Sequence, residues 1–478
     1  MYIHVNQGYV SLCVKLRVFA RWRTENYVNK AIDARTRELL EAGPFLLLLK
    51  MAGPNTIAFL VQSLVSVAEV WYIGQMGTAS LAAIALVFPL LMLMQMMSAG
   101  ALGGAVTSAL ARALGGGHRQ RAESLVWHAL FIAAAGSLVF LLLFMLGGEH
   151  FLRFLGGSGE TLDVAMDYCW ILFPCALVLW TTNVLSAVFR GMGNMRFPAL
   201  LMIVAALLQI PLSGALILGW GGLPALGIAG AAISIISVSC LNVLILLGRL
   251  VFGEVTVNLR LAQAGLNTDL VRDIFNVALP ASLSPILTVL GIMSTTGLVG
   301  RFGPEALAGY GIGSRLEFLM VPLVFGVGAA MTSIVGVNIG AGQWQRAERV
   351  GWIGASTAGF IAGIIGIIFA IFPALWVGLF TENAAVFAAG ESYMRIVGPF
   401  YVFQGIGLSL YFASQGAGNV TWPVIATIFR FVTAVGGATA AVLVFGGGLE
   451  QVFYFAAGGM LIYGIMTAVP IARGAWRP

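Results

Sequence analysis

From Gly43 onward the chain alternates long apolar runs with short polar joints. Each run is long enough to cross a hydrocarbon core of ~30 Å at ~1.5 Å per residue. The pattern predicts twelve helices, six at about 45–75, 79–112, 121–147, 161–189, 196–219 and 226–251, and six at about 271–300, 305–338, 346–376, 385–415, 421–445 and 450–473. A polar stretch, GEVTVNLRLAQAGLNTD, separates the two sets. The expected organisation is a cytoplasmic tail at 1–44, an N-lobe at 45–252, a cytoplasmic linker at 253–270 and a C-lobe at 271–478.

The two sets are copies. QRAE occurs at Gln120–Glu123 and again at Gln345–Glu348, a spacing of 225 residues. At that spacing Tyr168 matches Tyr393, Trp127 matches Trp352, Pro174 matches Pro399, and RGMGN from Arg190 matches QGAGN from Gln415. Pro54 matches Pro280 one residue further on. Six helices is an even number, so both copies insert the same way up. That predicts a parallel repeat about an axis along the membrane normal, with substrate between the lobes. The fold class is therefore all-α integral membrane, two homologous six-helix bundles.

Composition agrees. Of 478 residues 59% are hydrophobic and 9% charged, where a soluble chain carries about 25% charged residues. The net charge of +6 fits loop charges that set topology better than a nucleic-acid partner. Most of the basic residues fall on one side, in the tail and in the joints holding Arg112, Arg119, Arg121, Arg190, Arg196, Arg346 and Arg349. The positive-inside rule then places both termini in the cytoplasm of a plasma (inner) membrane protein. The tail lacks the apolar core and cleavage pattern of a signal peptide. No lysine follows a glycine-rich loop and no H-E-x-x-H occurs, so neither an ATP-driven pump nor a zinc protease is expected. The four cysteines form no C-x-x-C pair and read as packing residues. No enzyme activity, cofactor or metal site is expected, and the chain is expected to be a monomer.

One run breaks the apolar rule. The first helix carries Glu69, and Ser66, Gln62, Phe59 and Asn55 share its face at helical spacing. A charge at the centre of a membrane helix costs about 2.5–3.5 kcal/mol on insertion scales, and intramembrane acids mark functional sites. A neutral glutamic acid hydrogen-bonded to a neighbouring helix is the bland alternative. In the second lobe Glu317 and Arg315 lie on the eighth helix and Arg430 on the eleventh. They read as a structural ion pair or a second charge site. LMLMQMMSAG on the second helix offers flexible methionines, either packing residues or cavity wall.

AEVWYIGQMGTASLAA (Ala68–Ala83), the glycine-rich turn before QRAE, RGMGN, LGIAGAAIS (Leu226–Ser234), RLEFLMVP (Arg315–Pro322) and VGVNIGAG (Val335–Gly342) occur in this order. Over residues 40–475 the chain resembles the MATE family, the multidrug and toxic compound extrusion antiporters. The resemblance implies a V-shaped pair of bundles. It implies export of organic, often cationic or amphiphilic compounds in exchange for protons or sodium ions by alternating access. Glu69 stands where many bacterial members have Asp, and Pro54, with Pro280 in the second lobe, where the family's helix bends. QIPLS puts Gln209 and Ser213 where the family has Asn and Asp. The ion-coupling candidates are therefore Glu69, Gln62, Ser66, Gln209 and Ser213. The substrate-cavity candidates are Asn55, Tyr72, Met94, Gln95, Met97, Trp180, Asn183 and Thr295, the last being the counterpart of Glu69. Partners are small organic molecules, H+ or Na+ and the bilayer, with no nucleic acid. Sodium coupling and a lipid-linked precursor flippase are the alternatives to proton-coupled export.

Overall fold

The computed structural model describes residues 34–260 and 263–477. Among the described residues eleven helices are long and apolar enough to cross a membrane, and a twelfth span is bent. They are α1 (Pro44–Gly74), α2 (Thr78–Gly115), α3 (Arg119–Phe154), α4 (Gly159–Leu172 and Ala176–Gly191), α5 (Arg196–Leu218), α6 (Ile228–Phe252), α7 (Thr268–Gly300), α8 (Pro304–Gly340), α9 (Trp344–Ile371), α10 (Ala384–Ala417), α11 (Thr421–Leu443) and α12 (Leu449–Ala472). This is a multi-pass membrane protein of two six-helix lobes. The tail's residues up to 33 lie outside the described residues, and 34–41 form a short helix ahead of α1.

Joints follow local chemistry. Gly77 (φ 119) precedes α2 and its repeat partner Gly303 (φ 107) precedes α8, backbone that a Cβ would strain. Asn267 caps α7 by accepting from the Asp269 N–H at 2.8 Å. Met96–Leu102 in α2 and Val432–Gly437 in α11 are π-helical turns.

The repeat is visible in individual bonds. Thr107 donates to the Ala187 carbonyl at 3.0 Å, and Thr332 donates to the Phe412 carbonyl at 2.9 Å, the same bond 225 residues on. The symmetry also runs through the junction of the lobes. A Cβ on Gly115 would lie 2.1 Å from the Val337 carbonyl oxygen, and one on Gly340 would lie 2.1 Å from that of Arg112. Gly115 pairs with Gly340 and Arg112 with Val337 in the repeat, so the pseudo-twofold axis passes between the ends of α2 and α8.

Contacts between the lobes concentrate at the end that carries the start of α1 and the finish of α12. Thr56 packs on Gly326, and Phe59 meets Phe325 edge-on at 6.0 Å. Ser108 donates to the Gln415 carbonyl, whose side chain reaches the Gly100 carbonyl at 3.2 Å. Asp273 at the start of α7 takes Arg112 on one oxygen (2.7 Å) and Arg121 on the other (2.8 Å). Leu39, Leu47, Leu48 and Met51 share a core with Val327, Val335 and Val350 of the other lobe. Toward the other end, beyond Phe59 and Gly100, no hydrogen bond, ion pair or ring contact among the described residues joins the lobes, and the cleft lies there.

Pro54 and Pro280, the expected bend positions, both lie inside continuous helices, α1 and α7. A break with a bend of 55° falls between Leu172 and Ala176, at Pro174. Its partner Pro399 sits in a 3-10 turn inside the tenth span. A proline removes one backbone bond and crowds the carbonyl four residues back. At Pro174 a turn interrupts the helix, whereas at Pro54 the helix continues, packed on α8 through Gly326.

Candidate functional site

Glu69 projects from α1 between α5 and α6. Gln209 donates to its Oε1 at 2.9 Å and Ser213 donates to the same oxygen at 3.0 Å. Ser213 also bonds the Ser234 hydroxyl at 3.0 Å, and Ser234 donates to the Ala231 carbonyl. Hydrogen bonds to a charged acceptor contribute about 1.5–3 kcal/mol each, which offsets a large part of the cost of holding this carboxylate in the bundle. Oε2 takes no hydrogen bond from the described residues. Tyr168 of α4 stands close enough to act on Glu69 electrostatically. Tyr72, one turn beyond Glu69, is buried edge-on against Trp220 (5.4 Å) and Trp71 (5.3 Å). Gly214 leaves room for the Tyr72 and Trp220 rings.

Of the coupling candidates, the structure brings Gln209 and Ser213 onto Glu69 and leaves Gln62 and Ser66 off it. Gln62 is half-buried and Ser66 exposed, and neither bonds the carboxylate. Sharing a face does not bring residues one or two turns apart into contact with an acid that leans away toward α5. Ser234, Tyr168 and Trp220 join the site without having been singled out. Ser234 lies in LGIAGAAIS, a stretch noted only as a motif, and only the approach of α6 to α5 gives it a role.

The cavity candidates separate. Asn55 is buried at the closed end with its amide 3.2 Å from Met195 Sδ, not in the cleft. Trp180 is buried inside the lobe against Phe140 and Gly136. Met94 is buried and Met97 half-buried. Gln95 and Asn183 do meet: Asn183 Nδ2 donates to Gln95 Oε1 at 3.3 Å and to Ser98 Oγ at 2.8 Å. Gln95 itself is exposed. Thr295 is half-buried on α7 and has no acid at its position.

In the second lobe Glu317 accepts a hydrogen bond from Tyr393, which Tyr310 meets edge-on at 5.5 Å. Arg430 acts on Glu317 electrostatically but forms no ion pair with it; its guanidinium lies 5.5 Å from the Tyr463 ring. Arg315 points away, exposed, 5.9 Å from the Phe380 ring. The expected three-residue charge site is thus a carboxyl–tyrosine pair with a nearby cation. Tyr393, bonded to Glu317, is the repeat partner of Tyr168, which reaches Glu69 only electrostatically, and Glu69 lies on its lobe's first helix whereas Glu317 lies on its second.

A sequence profile described as MatE matches residues 54–214 and 280–438. A probable multidrug resistance protein NorM of Thermotoga maritima is 26% identical over 391 residues, covering 81% of this chain and 83% of that protein. A protein of Shewanella oneidensis described as an FAD transporter is 30% identical over 321 residues, covering 65% and 69%. Among solved structures, one described as the outward-facing conformation of a multidrug resistance MATE family transporter of the MOP superfamily has a TM-score of 0.83 at 25% identity. The match covers 91% of this chain and 98% of that one.

Proposed function

Since the chain belongs to the MATE family, whose members are transporters and not enzymes, we propose that it is a secondary antiporter exporting amphiphilic organic compounds in exchange for protons. The observation that carries this reading is Glu69, a carboxylate inside a membrane helix with one oxygen fixed by Gln209 and Ser213 and the other left to take a proton. The multidrug names of several relatives support the substrate class.

The positive-inside rule puts the joined end in the cytoplasm and the cleft toward the exterior. The arrangement then corresponds to an outward-open state. Protonation at Oε2 removes the charge that draws Gln209 and Ser213 together. The Ser213–Ser234 link stays in place and keeps α5 on α6, and α1 shifts against both. Because the lower half of α1 packs on Gly326 and Phe325, that shift is passed to the second lobe. The protonation state of one acid thus biases a two-state packing of lobes.

The test is efflux from proteoliposomes under an imposed pH or sodium gradient, for wild type and Glu69→Gln. Wild-type efflux follows the pH gradient alone, and Glu69→Gln falls to the level of protein-free liposomes while inserting normally. Undiminished gradient-driven efflux by Glu69→Gln would refute the assignment, and efflux driven by sodium alone would replace the proton with that ion.

A further inference from the structure

The floor of the cleft holds a cation that the coupling scheme does not use. Arg190 lies near the closed-end finish of α4, where an arginine ordinarily extends toward water at the nearer surface. Its side chain runs the other way. One guanidinium nitrogen, Nη2, stands 3.7 Å from where a Cβ on Gly103 would be, beside the π-helical turn of α2. Gly103 is twelve residues, roughly 18 Å of helix rise, inside the closed end of α2 at Gly115. The ties that shut that end, Ser108 to Gln415, Arg112 to Asp273 and Gly115 to Val337, all lie between the guanidinium and the nearer surface.

Arg190 makes no ion pair, hydrogen bond or ring contact among the described residues, and no acid acts on its charge. Other arginines that are not exposed are engaged: Arg112 by Asp273, Arg346 by the Ala42 carbonyl and Arg430 by the Tyr463 ring. Arg190 as a whole residue is half-buried. On the same face of α4, two turns toward the open end, Asn183 bonds Ser98 and the exposed Gln95. The groove between α2 and α4 is thus a polar track that starts at Gln95 and ends at an unneutralised guanidinium, and no carboxylate bonds any of its members.

We propose that Arg190 is an anion-recognition point at the floor of the cleft and that the transported compounds include amphiphiles bearing a phosphate or carboxylate. The acidic oxygens face Arg190 and the apolar body occupies the cleft above it. The proposal rests on the export reading for its direction of transport. A guanidinium binds either group through paired N–H donors, so carboxylate and phosphate are separated by experiment.

Equilibrium binding to the purified full-length protein in detergent, with no gradient, is measured for two matched pairs: riboflavin and its 5′-phosphate, and a rhodamine methyl ester and its free acid. Wild type should prefer the acidic member of at least one pair by about tenfold, the scale of one charge-assisted contact. The pair that shows it identifies the group read. Arg190→Gln should abolish the preference and Arg190→Lys should keep part of it. Equal affinity within both pairs in wild type, or a preference that survives Arg190→Gln, would overturn the proposal. A uniform loss for all four ligands in Arg190→Gln would do the same, since it marks a packing role. Wild-type efflux under a pH gradient tests the antiporter reading separately, because binding in detergent needs no coupling ion.

Discussion

Asp273→Asn tests how the closed end is held. The carboxylate bridges Arg112 at 2.7 Å and Arg121 at 2.8 Å, so one side chain of the second lobe is tied to two cations of the first. Asp273 and Arg112 are 23% and 17% exposed, and a charge-assisted bond in such a place contributes about 1.5–3 kcal/mol. Arg121 is 46% exposed, and its arm contributes ~0.2–1 kcal/mol. Asparagine keeps the shape, loses the charge and retains a weaker carbonyl contact. A net loss of about 2 kcal/mol from the closed-end state is expected, roughly a 30-fold change in the ratio of the two lobe arrangements. Spin labels at Gln75 and Arg301, both exposed at the open end, report that ratio through their distance distribution once Cys13, Cys175 and Cys240 have been replaced. Asp273→Asn should move population toward the shorter open-end distance. Raising the salt concentration in wild type should reproduce only a small part of the shift, because the Arg112 arm is shielded from water. A folded Asp273→Asn protein with an unchanged distribution would refute a latch role for the triad.

Five further substitutions separate contact from proximity. Gly340→Ala places a methyl 2.1 Å from the Arg112 carbonyl and should lower stability by about 1–3 kcal/mol and shift the same spin-label distance, whereas Gly311→Ala, in open space, should do neither in a thermal melt. Ser213→Ala should slow pH-driven efflux several-fold by removing a donor to Glu69, and Ser66→Ala, whose hydroxyl is exposed and off the carboxylate, should leave the initial rate as it is. Tyr393→Phe withdraws the hydroxyl from Glu317 and should lower thermal stability by about 1–3 kcal/mol with efflux retained; loss of efflux at unchanged stability would instead make Glu317 part of transport.

Much of the architecture is written along the chain. Whether a run crosses a bilayer depends on its length and apolarity, which are one-dimensional, and the expected bounds differ from the helices by a few residues at most ends. The duplication is equally legible, since Gln120–Glu123 and Gln345–Glu348 need only a ruler, and the bonds of Thr107 and Thr332 are its physical form. Glu69 stands out because an acid within an apolar run carries a solvation cost wherever the helix packs. What a helix touches is a different quantity. Asn55 and Glu69 share a face of α1, yet one is buried on Met195 at the closed end and the other meets Gln209, because different helices flank α1 at different depths. Ser234, Tyr168 and Arg190 carry no local sign of their surroundings. The approach of α6 to α5, the bend at Pro174 and the direction in which one arginine extends are set by packing between segments far apart in the chain, and only the tertiary structure decides them.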